Sequence, residues 1–193
     1  MENKVKYILF DTDWVLVHSR TWSDQYSENV GLPPWAMKDF FTGVFQECII
    51  WEADLREVIS PYFEKWWWSW SADEYIQNWC EYENKPDTEL ISKIQELRKE
   101  GIKCYVATNQ EKYRLQYLRE QMMFSEYFNG VFCSAEIGLK KPQKEYFEYI
   151  LNKMNTSPNE VFYFDDSQEN IEVASSLWIH ARLYRNISDF LIH

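Results

Sequence analysis

The chain has 193 residues, of which 46% are hydrophobic, so it can bury a core and form one domain with a modest insertion. This composition excludes a disordered protein. The 20 basic and 31 acidic residues give a formal charge of −11, which argues against nucleic acid or an anionic membrane surface as a partner.

The sequence shows no clear targeting segment and no common zinc-binding motif. The first apolar run has four residues, too few for a signal peptide, and no later stretch approaches a membrane span. Cys48, Cys80, Cys104 and Cys133 lack the paired spacing of zinc sites. We therefore expect reduced thiols and a cytoplasmic protein. With three histidines, a histidine metal site or a Ser-His-Asp triad is poorly supplied.

The first predicted element is a short buried strand at 6–10. Residues 18–86 follow with many aromatic residues, a helical period and weak strand signals. We interpret this stretch as a helical insertion. Its tryptophan stripe, 66–68 with Trp70, could form the wall of a binding site, but core packing is the favoured interpretation.

From residue 87 onward, strand and helix patterns alternate. A helix begins at Asp87 or Thr88 and ends at Gly101, and later helices run to about Met122, from Pro142, and over 170–177. Between them lie short apolar strands at 102–107, 130–134, 161–164 and 181–184. Apolar strands separated by helices predict an α/β fold, a parallel sheet with helices on both faces.

Polar side chains follow the predicted strands at one edge of this sheet. They are Asp11 and Asp13 after the first strand, Thr108 and Asn109 after the second, Asp165 and Asp166 after the fourth, and Lys140 and Lys141 in the loop before Pro142. Ligands of open parallel sheets bind outside the carboxyl ends of the strands. We therefore expect these residues to converge.

That set of side chains indicates metal-assisted phosphoryl transfer. Carboxylates held close together need a cation, and oxygen ligands suit Mg²⁺ better than zinc. Hydroxyl, amide and lysine groups can hold phosphate oxygens. A carboxylate can also attack phosphorus and form an acyl phosphate.

Four stretches together resemble the ordered motifs of the haloacid dehalogenase-like (HAD) hydrolase superfamily. They are FDTDWVLV, VATNQ, KKP and YFDDSQENIEVA, and they span residues 10–174. The chain is most similar to the phosphatase branch with a helical cap inserted after the first motif. This resemblance implies a Rossmann-like core of 1–17 and 87–193, with 18–86 as the cap.

The resemblance also implies a role for each site residue. Asp11 would be the nucleophile, Asp13 the acid and base, and Lys141 the group that neutralises developing charge. Thr108, Asn109 and Lys141 would bind phosphate. Mg²⁺ would be held by Asp11, the backbone carbonyl of Asp13, and Asp166 as a direct ligand with Asp165 as its support.

The implied activity is a Mg²⁺-dependent phosphatase acting on a small phosphorylated metabolite such as a sugar phosphate or nucleoside monophosphate. The family's dehalogenases lack the second aspartate, so Asp13 favours a phosphatase or mutase. A phosphomutase using the same nucleophile is one alternative. A non-catalytic binding or regulatory protein is another, if Trp14 blocks the site.

Several site residues also have structural interpretations. The pair Asp11 and Asp13 could be solvated turn residues, and Thr108 could cap the helix that follows it. The pair Asp165 and Asp166 could likewise cap the helix near residue 170. Lys140 is expected to be solvated.

Two tryptophans stand where the family has glycine: Trp14 after the second aspartate and Trp178 after the last helix. Glycine makes up about 7% of an average protein, whereas this chain has 5 glycines and 10 tryptophans. We hypothesise that a UGA codon for glycine has been read as tryptophan. Further candidates are Trp22, Trp35, Trp51, Trp67 and Trp70.

Overall fold

A computed structural model describes residues 5–33 and 35–190 of the chain. Within them, five parallel strands form one sheet in the order β3-β2-β1-β4-β5. The strands are β1 (Tyr7–Phe10), β2 (Lys103–Thr108), β3 (Val131–Cys133), β4 (Val161–Asp165) and β5 (His180–Leu183). The predicted α/β fold class is confirmed.

Strand β1 lies at the centre of the sheet, between β2 and β4. Its residues alternate between two apolar layers, because successive side chains of a strand point to opposite faces. Ile8 and Phe10 pack into one buried cluster, and Leu9 packs into the other. All three side chains have no exposed surface, so both faces of the sheet are covered.

Helices connect the strands and form the insertion after β1. The insertion contains α1 (Trp22–Val30), α2 (Lys38–Thr42), α3 (Phe45–Cys48), α4 (Leu55–Ile59) and α5 (Ala72–Tyr82). The remaining helices are α6 (Thr88–Lys99), α7 (Lys112–Glu120), α8 (Phe124–Tyr127), α9 (Ser134–Ile137), α10 (Lys144–Met154) and α11 (Gln168–Ser176). Short 3₁₀ helices lie at Ser60–Tyr62, Pro158–Glu160 and Ile187–Phe190.

The inserted helices have an aromatic core of their own. Trp66 is fully buried there, and its ring lies 5.2 Å from that of Phe40. Trp68 is buried too, whereas Trp67 and Trp70 are 61% and 58% exposed. The tryptophan stripe is therefore split, with two members packed in the core and two at the surface.

The segment that enters the insertion and the segment that leaves it lie next to each other. Val17 forms a bridge with Pro86, and the His18 N–H donates to the carbonyl of Lys85 at 3.1 Å. This crossing lies beside the predicted domain boundaries at 17/18 and 86/87. The division into a core and a cap stays a prediction, and residues 1–4 and 191–193 of that core lie outside the described residues.

The helices of the described residues were compared with the requirements for a membrane span. Among the helices of residues 5–33 and 35–190, none combines the length and the apolar composition that a span requires.

Candidate active site

Asp11 is the first residue beyond β1 and is almost fully buried. One of its carboxylate oxygens, Oδ1, accepts from the Thr12 N–H at 2.7 Å and pairs with Lys141 Nζ at 2.7 Å. Both contacts fall on the same oxygen. Among the described residues, no hydrogen bond is made to the second oxygen, so it is available to a cation or a substrate atom.

Asp13 lies in a tight turn that follows Asp11. The N–H groups of Leu16 and Val17 both donate to the Thr12 carbonyl at 2.9 Å, and the Trp14 N–H donates to the Val17 carbonyl at 2.8 Å. The turn places Asp13 at the rim, half-buried.

Gln110 fixes the side chain of Asp13. Its Nε2 donates to Asp13 Oδ2 at 2.7 Å, and its own backbone N–H donates to Ser134 Oγ at 3.1 Å. Gln110 is buried. The sequence prediction named Thr108 and Asn109 but missed Gln110. Its position directly after Asn109 was the signal that could have identified Gln110 as a site residue.

Lys141 joins the ends of two strands. Its ammonium is buried and lies 2.7 Å from both Asp11 and Asp165. Burial alone would lower the pKa of Lys141, but these two carboxylates outweigh it and raise the pKa above its usual value. The side chain therefore carries a fixed positive charge inside the site.

Asp165 ends β4 with no exposed surface and is surrounded by donors. It accepts from the Lys141 ammonium, the Tyr163 hydroxyl, the Ser167 N–H and the Asn170 amide. Burial opposes its ionisation, yet Lys141 and the other donors lower the pKa of Asp165 below its ordinary value. Its negative charge is already compensated by protein groups.

Asp11, Asp165 and the exposed Asp166 form an acidic cluster. One carboxylate oxygen from each lies within 4.8 Å of the others. Burial raises the pKa of Asp11 against the pull of Lys141, and burial followed by the charge of Asp165 raises the pKa of Asp166. The Lys141 ammonium pairs with Asp11 and Asp165, and no ion pair is given for Asp166 among the described residues, so the donor set suits a divalent cation at Asp11 and Asp166.

The loop after β2 supplies a hydroxyl and an amide. Within the described part of the chain, the hydroxyls of Thr12 and Thr108 are buried without a hydrogen-bond partner. A buried unpaired hydroxyl is costly, so a ligand oxygen at this position would satisfy it. The side-chain amide of Asn109 is engaged otherwise: it donates to the Lys141 carbonyl at 2.8 Å and accepts the Lys141 N–H at 2.9 Å.

Two of the structural interpretations are wrong. The cap of α7 is Glu111, which accepts from the N–H groups of Tyr113 and Arg114, so Thr108 is not a cap. Lys140 is not merely solvated, because its Nζ donates to Gln46 of the inserted helices at 2.7 Å. Asp165 accepts from the N–H of Ser167, the N-cap residue of α11, through a contact outside the helix that leaves Asp165 in the acidic cluster.

A cavity of about 490 Å³ lies between this rim and the inserted helices. On the rim side it is lined by Asp13, Trp14, Asn109 and Gln110. On the other side it is lined by polar and apolar residues of the insertion. The apolar residues are Trp22, Met37, Phe41, Phe45 and Trp79. A ligand in the cavity would contact the acidic rim and an aromatic surface together.

Comparison with known proteins agrees with this arrangement. Residues 8–181 match the profile of the haloacid dehalogenase-like hydrolase family. A HAD family enzyme from Bacteroides thetaiotaomicron, solved in complex with magnesium and inorganic phosphate, superposes with a TM-score of 0.78 over 93% of both chains at 21% identity.

Two curated phosphatases match part of the chain. A sesquiterpene phosphatase from Aspergillus oryzae is 33% identical over 93 residues, which are 48% of this chain and 47% of that protein. A D-ribitol-5-phosphate phosphatase from Bacteroides thetaiotaomicron is 23% identical over 113 residues, or 55% and 54% of the two chains. The matches span about half the length of these relatives.

Proposed function

The chain belongs to the haloacid dehalogenase-like hydrolase family, and from this premise we propose that it is a Mg²⁺-dependent phosphatase of small phosphorylated metabolites. The observation that carries the proposal is the cluster of Asp11, Asp165 and Asp166, in which a buried lysine pairs with Asp11 and Asp165. In this cluster one carboxylate oxygen of Asp11 has no hydrogen bond from the described residues and can react. The ammonium of Lys141 is held beside it by Asp11 and Asp165.

Mg²⁺ would be held by Asp11, Asp166 and the backbone carbonyl of Asp13. Asp165 would support the site without a direct bond, since Lys141, Tyr163, Ser167 and Asn170 already surround it. When bound, the ion neutralises the phosphate and the two carboxylates, so that an anionic substrate can approach an acidic protein.

Asp11 performs the first step in this proposal. Its free oxygen attacks phosphorus, a bond forms between that oxygen and phosphorus, and the ester P–O bond breaks with its electron pair on the leaving oxygen. Asp13 gives its proton to that oxygen, so an alcohol departs. General acid catalysis of this kind is worth about 10²–10⁴-fold.

Asp13 reverses its role in the second step. It takes a proton from a water molecule, and the water oxygen attacks phosphorus of the aspartyl phosphate. The bond between Asp11 and phosphorus breaks, which releases inorganic phosphate and restores the Asp11 carboxylate. Gln110 holds Asp13 at the rim during both steps, through the 2.7 Å hydrogen bond to Oδ2.

Two residues would bind the transferred phosphoryl group, and a third would position one of them. Lys141 supplies positive charge next to Asp11. Thr108 supplies the buried hydroxyl that lacks a protein partner among the described residues. Asn109 acts on the Lys141 backbone through two hydrogen bonds, so we assign it a positioning role in place of direct phosphate contact by its side chain.

The cavity supports a substrate with a planar or apolar organic group. Phe41, Phe45 and Trp79 form its aromatic side, opposite Asp13 and Gln110. A nucleoside monophosphate or a terpenyl phosphate would bury its organic group there, whereas a sugar phosphate would use the polar side chains near Ser23 and Lys38. The phosphatase relatives act on a sesquiterpene and on D-ribitol 5-phosphate, by their names.

The test is a phosphate-release screen over nucleotide, isoprenoid and sugar phosphates, with and without Mg²⁺. We expect Mg²⁺-dependent release that the Asp11→Asn variant abolishes, because an amide cannot attack phosphorus. Asp73→Asn is the matched control, since this exposed aspartate on α5 pairs only with Arg56 among its described neighbours. Turnover that survives in Asp11→Asn would defeat the mechanism.

A non-catalytic binding protein is the second candidate. The observation that favours it is the indole of Trp14, which lines the cavity directly after Asp13. This candidate predicts no phosphate release from the chain as written or from its Trp14→Gly variant.

A further inference from the structure

Four tryptophans have a backbone conformation that suits glycine. Trp14, Trp51, Trp67 and Trp178 have φ angles of 60°, 59°, 57° and 68°. In this left-handed region Cβ crowds the backbone of any residue except glycine. Within the described residues, just two other non-glycine residues have a positive φ, and one is an asparagine.

Three of the four tryptophans end a helical turn with the same pair of hydrogen bonds. If the tryptophan is residue i, its N–H donates to the carbonyl of residue i−3. The N–H of residue i+1 donates to the carbonyl of residue i−4. These two distances are 3.2 and 2.8 Å at Trp51, 3.2 and 2.9 Å at Trp67, and 3.0 and 3.3 Å at Trp178.

Glycine makes the same pair of bonds elsewhere in the chain. The distances are 3.3 and 2.8 Å at Gly31 and 3.1 and 3.1 Å at Gly101. Asn155 makes the pair as well, at 3.1 and 3.3 Å. This is the Schellman motif, whose left-handed residue is usually glycine and sometimes asparagine. Tryptophan is the one type in this set that the motif disfavours.

The side chains of the four tryptophans contribute little packing. They are 49%, 58%, 61% and 82% exposed in chain order, whereas Trp66, Trp68 and Trp79 are at most 9% exposed. Trp22, a candidate from the sequence, belongs with the packed group, because its ring lies 5.4 Å from that of Tyr26 in the aromatic core. The structure therefore separates the four exposed tryptophans of positive φ from the packed ones, while Trp35 and Trp70 are exposed and have no positive φ.

We infer that positions 14, 51, 67 and 178 are glycine in the protein that its own cell makes, and that UGA is the codon at each. UGA is read as tryptophan in some genetic codes and as glycine in others. A single misassigned codon would explain both the strained backbone and the balance of 5 glycines to 10 tryptophans.

Of the four positions inferred to be glycine, position 14 lies in the candidate active site. The residue follows Asp13 and lines the cavity, so glycine there removes an indole from the cavity wall beside Asp13. This consequence for turnover rests on the proposed phosphatase function. The codon and the stability of the fold do not depend on it.

The gene and the native protein give the first test. We expect TGA at codons 14, 51, 67 and 178 and TGG at codons 66, 68 and 79. The intact mass of protein from its own cells should be lower than the printed sequence requires, by the difference between tryptophan and glycine at each recoded position. TGG at the four codons overturns the inference.

Thermal unfolding of recombinant variants gives the second test. We expect Trp51→Gly, Trp67→Gly and Trp178→Gly each to raise the Tm by about 2–4 °C, as relief of roughly 1 kcal/mol would do. Trp70→Gly is the matched control, because Trp70 is as exposed as Trp51, at 58%, without a positive φ. A lower Tm in all three variants, or an equal rise in Trp70→Gly, overturns the inference.

Turnover separates this inference from the proposed function. Trp14→Gly should raise kcat/KM for a phosphate ester by up to about 10²-fold, the scale of a geometric obstruction, while Trp178→Gly leaves it unchanged. If TGA codons and higher Tm values are found but no variant releases phosphate, the glycine inference stands and the phosphatase proposal fails.

Discussion

At the scale of single residues, the site depends on how donors are divided among its carboxylates. Asp165 takes hydrogen bonds from four different residues, whereas one oxygen of Asp11 takes two and the other takes none from the described part of the chain. This unequal division is the basis on which we propose a supporting role for Asp165 and a reactive one for Asp11. Chemically identical side chains can thus have different functions within a few ångströms.

Gln110 is the positioning residue that this geometry adds. We expect Gln110→Leu to lower kcat by about 10–100-fold with little change in KM, because Asp13 loses its orienting donor while the phosphate-binding groups remain. Steady-state kinetics on a phosphate ester would measure this. Gln116→Leu is the matched control, since Gln116 is exposed on α7 and bonds only Glu120 among the described residues. Equal losses in both variants would rule out the assignment.

Most of the candidate residues were predictable because they lie at the end of a strand or directly after it. Asp11, Thr108 and Asp165 take their positions from the sheet alone, and a pattern of buried apolar runs locates the sheet. Gln110 and the reciprocal bonds of Asn109 were not predictable, because they depend on the direction in which a loop side chain points. Sequence spacing carries no information about that direction.

At the scale of elements, Arg114 on α7 joins the sheet domain to the inserted helices. Its guanidinium has no exposed surface and donates to the carbonyls of Cys80 at 3.1 Å and Glu83 at 3.4 Å. It also pairs with the Glu83 carboxylate at 3.6 Å. These contacts hold the C-terminal end of α5 against α7.

We expect Arg114→Met to destabilise the protein by about 3–5 kcal/mol, because the buried Glu83 carboxylate loses its ion pair and the carbonyls of Cys80 and Glu83 each lose a donor. Urea unfolding followed by circular dichroism would measure the change. Arg119→Met is the matched control on the same helix, since Arg119 pairs with Glu136 near the surface and should cost no more than about 1 kcal/mol. Similar costs for both variants would contradict this account of how the helices are joined.

Element prediction succeeded where a hydrophobic period was long enough to read. The five strands match the apolar runs to within one residue at either end, as at 102–107 against Lys103–Thr108. The helices Phe124–Tyr127 and Ser134–Ile137 were missed, because four residues make a single turn and a single turn has no period. The topology of the insertion was likewise beyond the sequence, since three of its helices have only five, four and five residues and are too short to show a period.

At the scale of the whole molecule, the fold concentrates negative charge where a cation can offset it. The chain carries a formal charge of −11, and its parallel sheet brings three carboxylates to one edge beside a single buried ammonium. Repulsion within that cluster opposes folding, and a bound divalent cation would relieve it. Folding and metal binding should therefore be linked.

Magnesium titration followed by thermal unfolding tests this central claim most directly. We predict a saturable rise in Tm of about 5–10 °C at 100 times Kd, corresponding to about 2.7 kcal/mol. Asp166→Asn should start from a higher metal-free Tm, because one repelling charge is gone, and should gain much less from Mg²⁺, while Asp73→Asn should behave as the wild type. An absence of saturable stabilisation, or an equal gain in Asp166→Asn, would contradict the account.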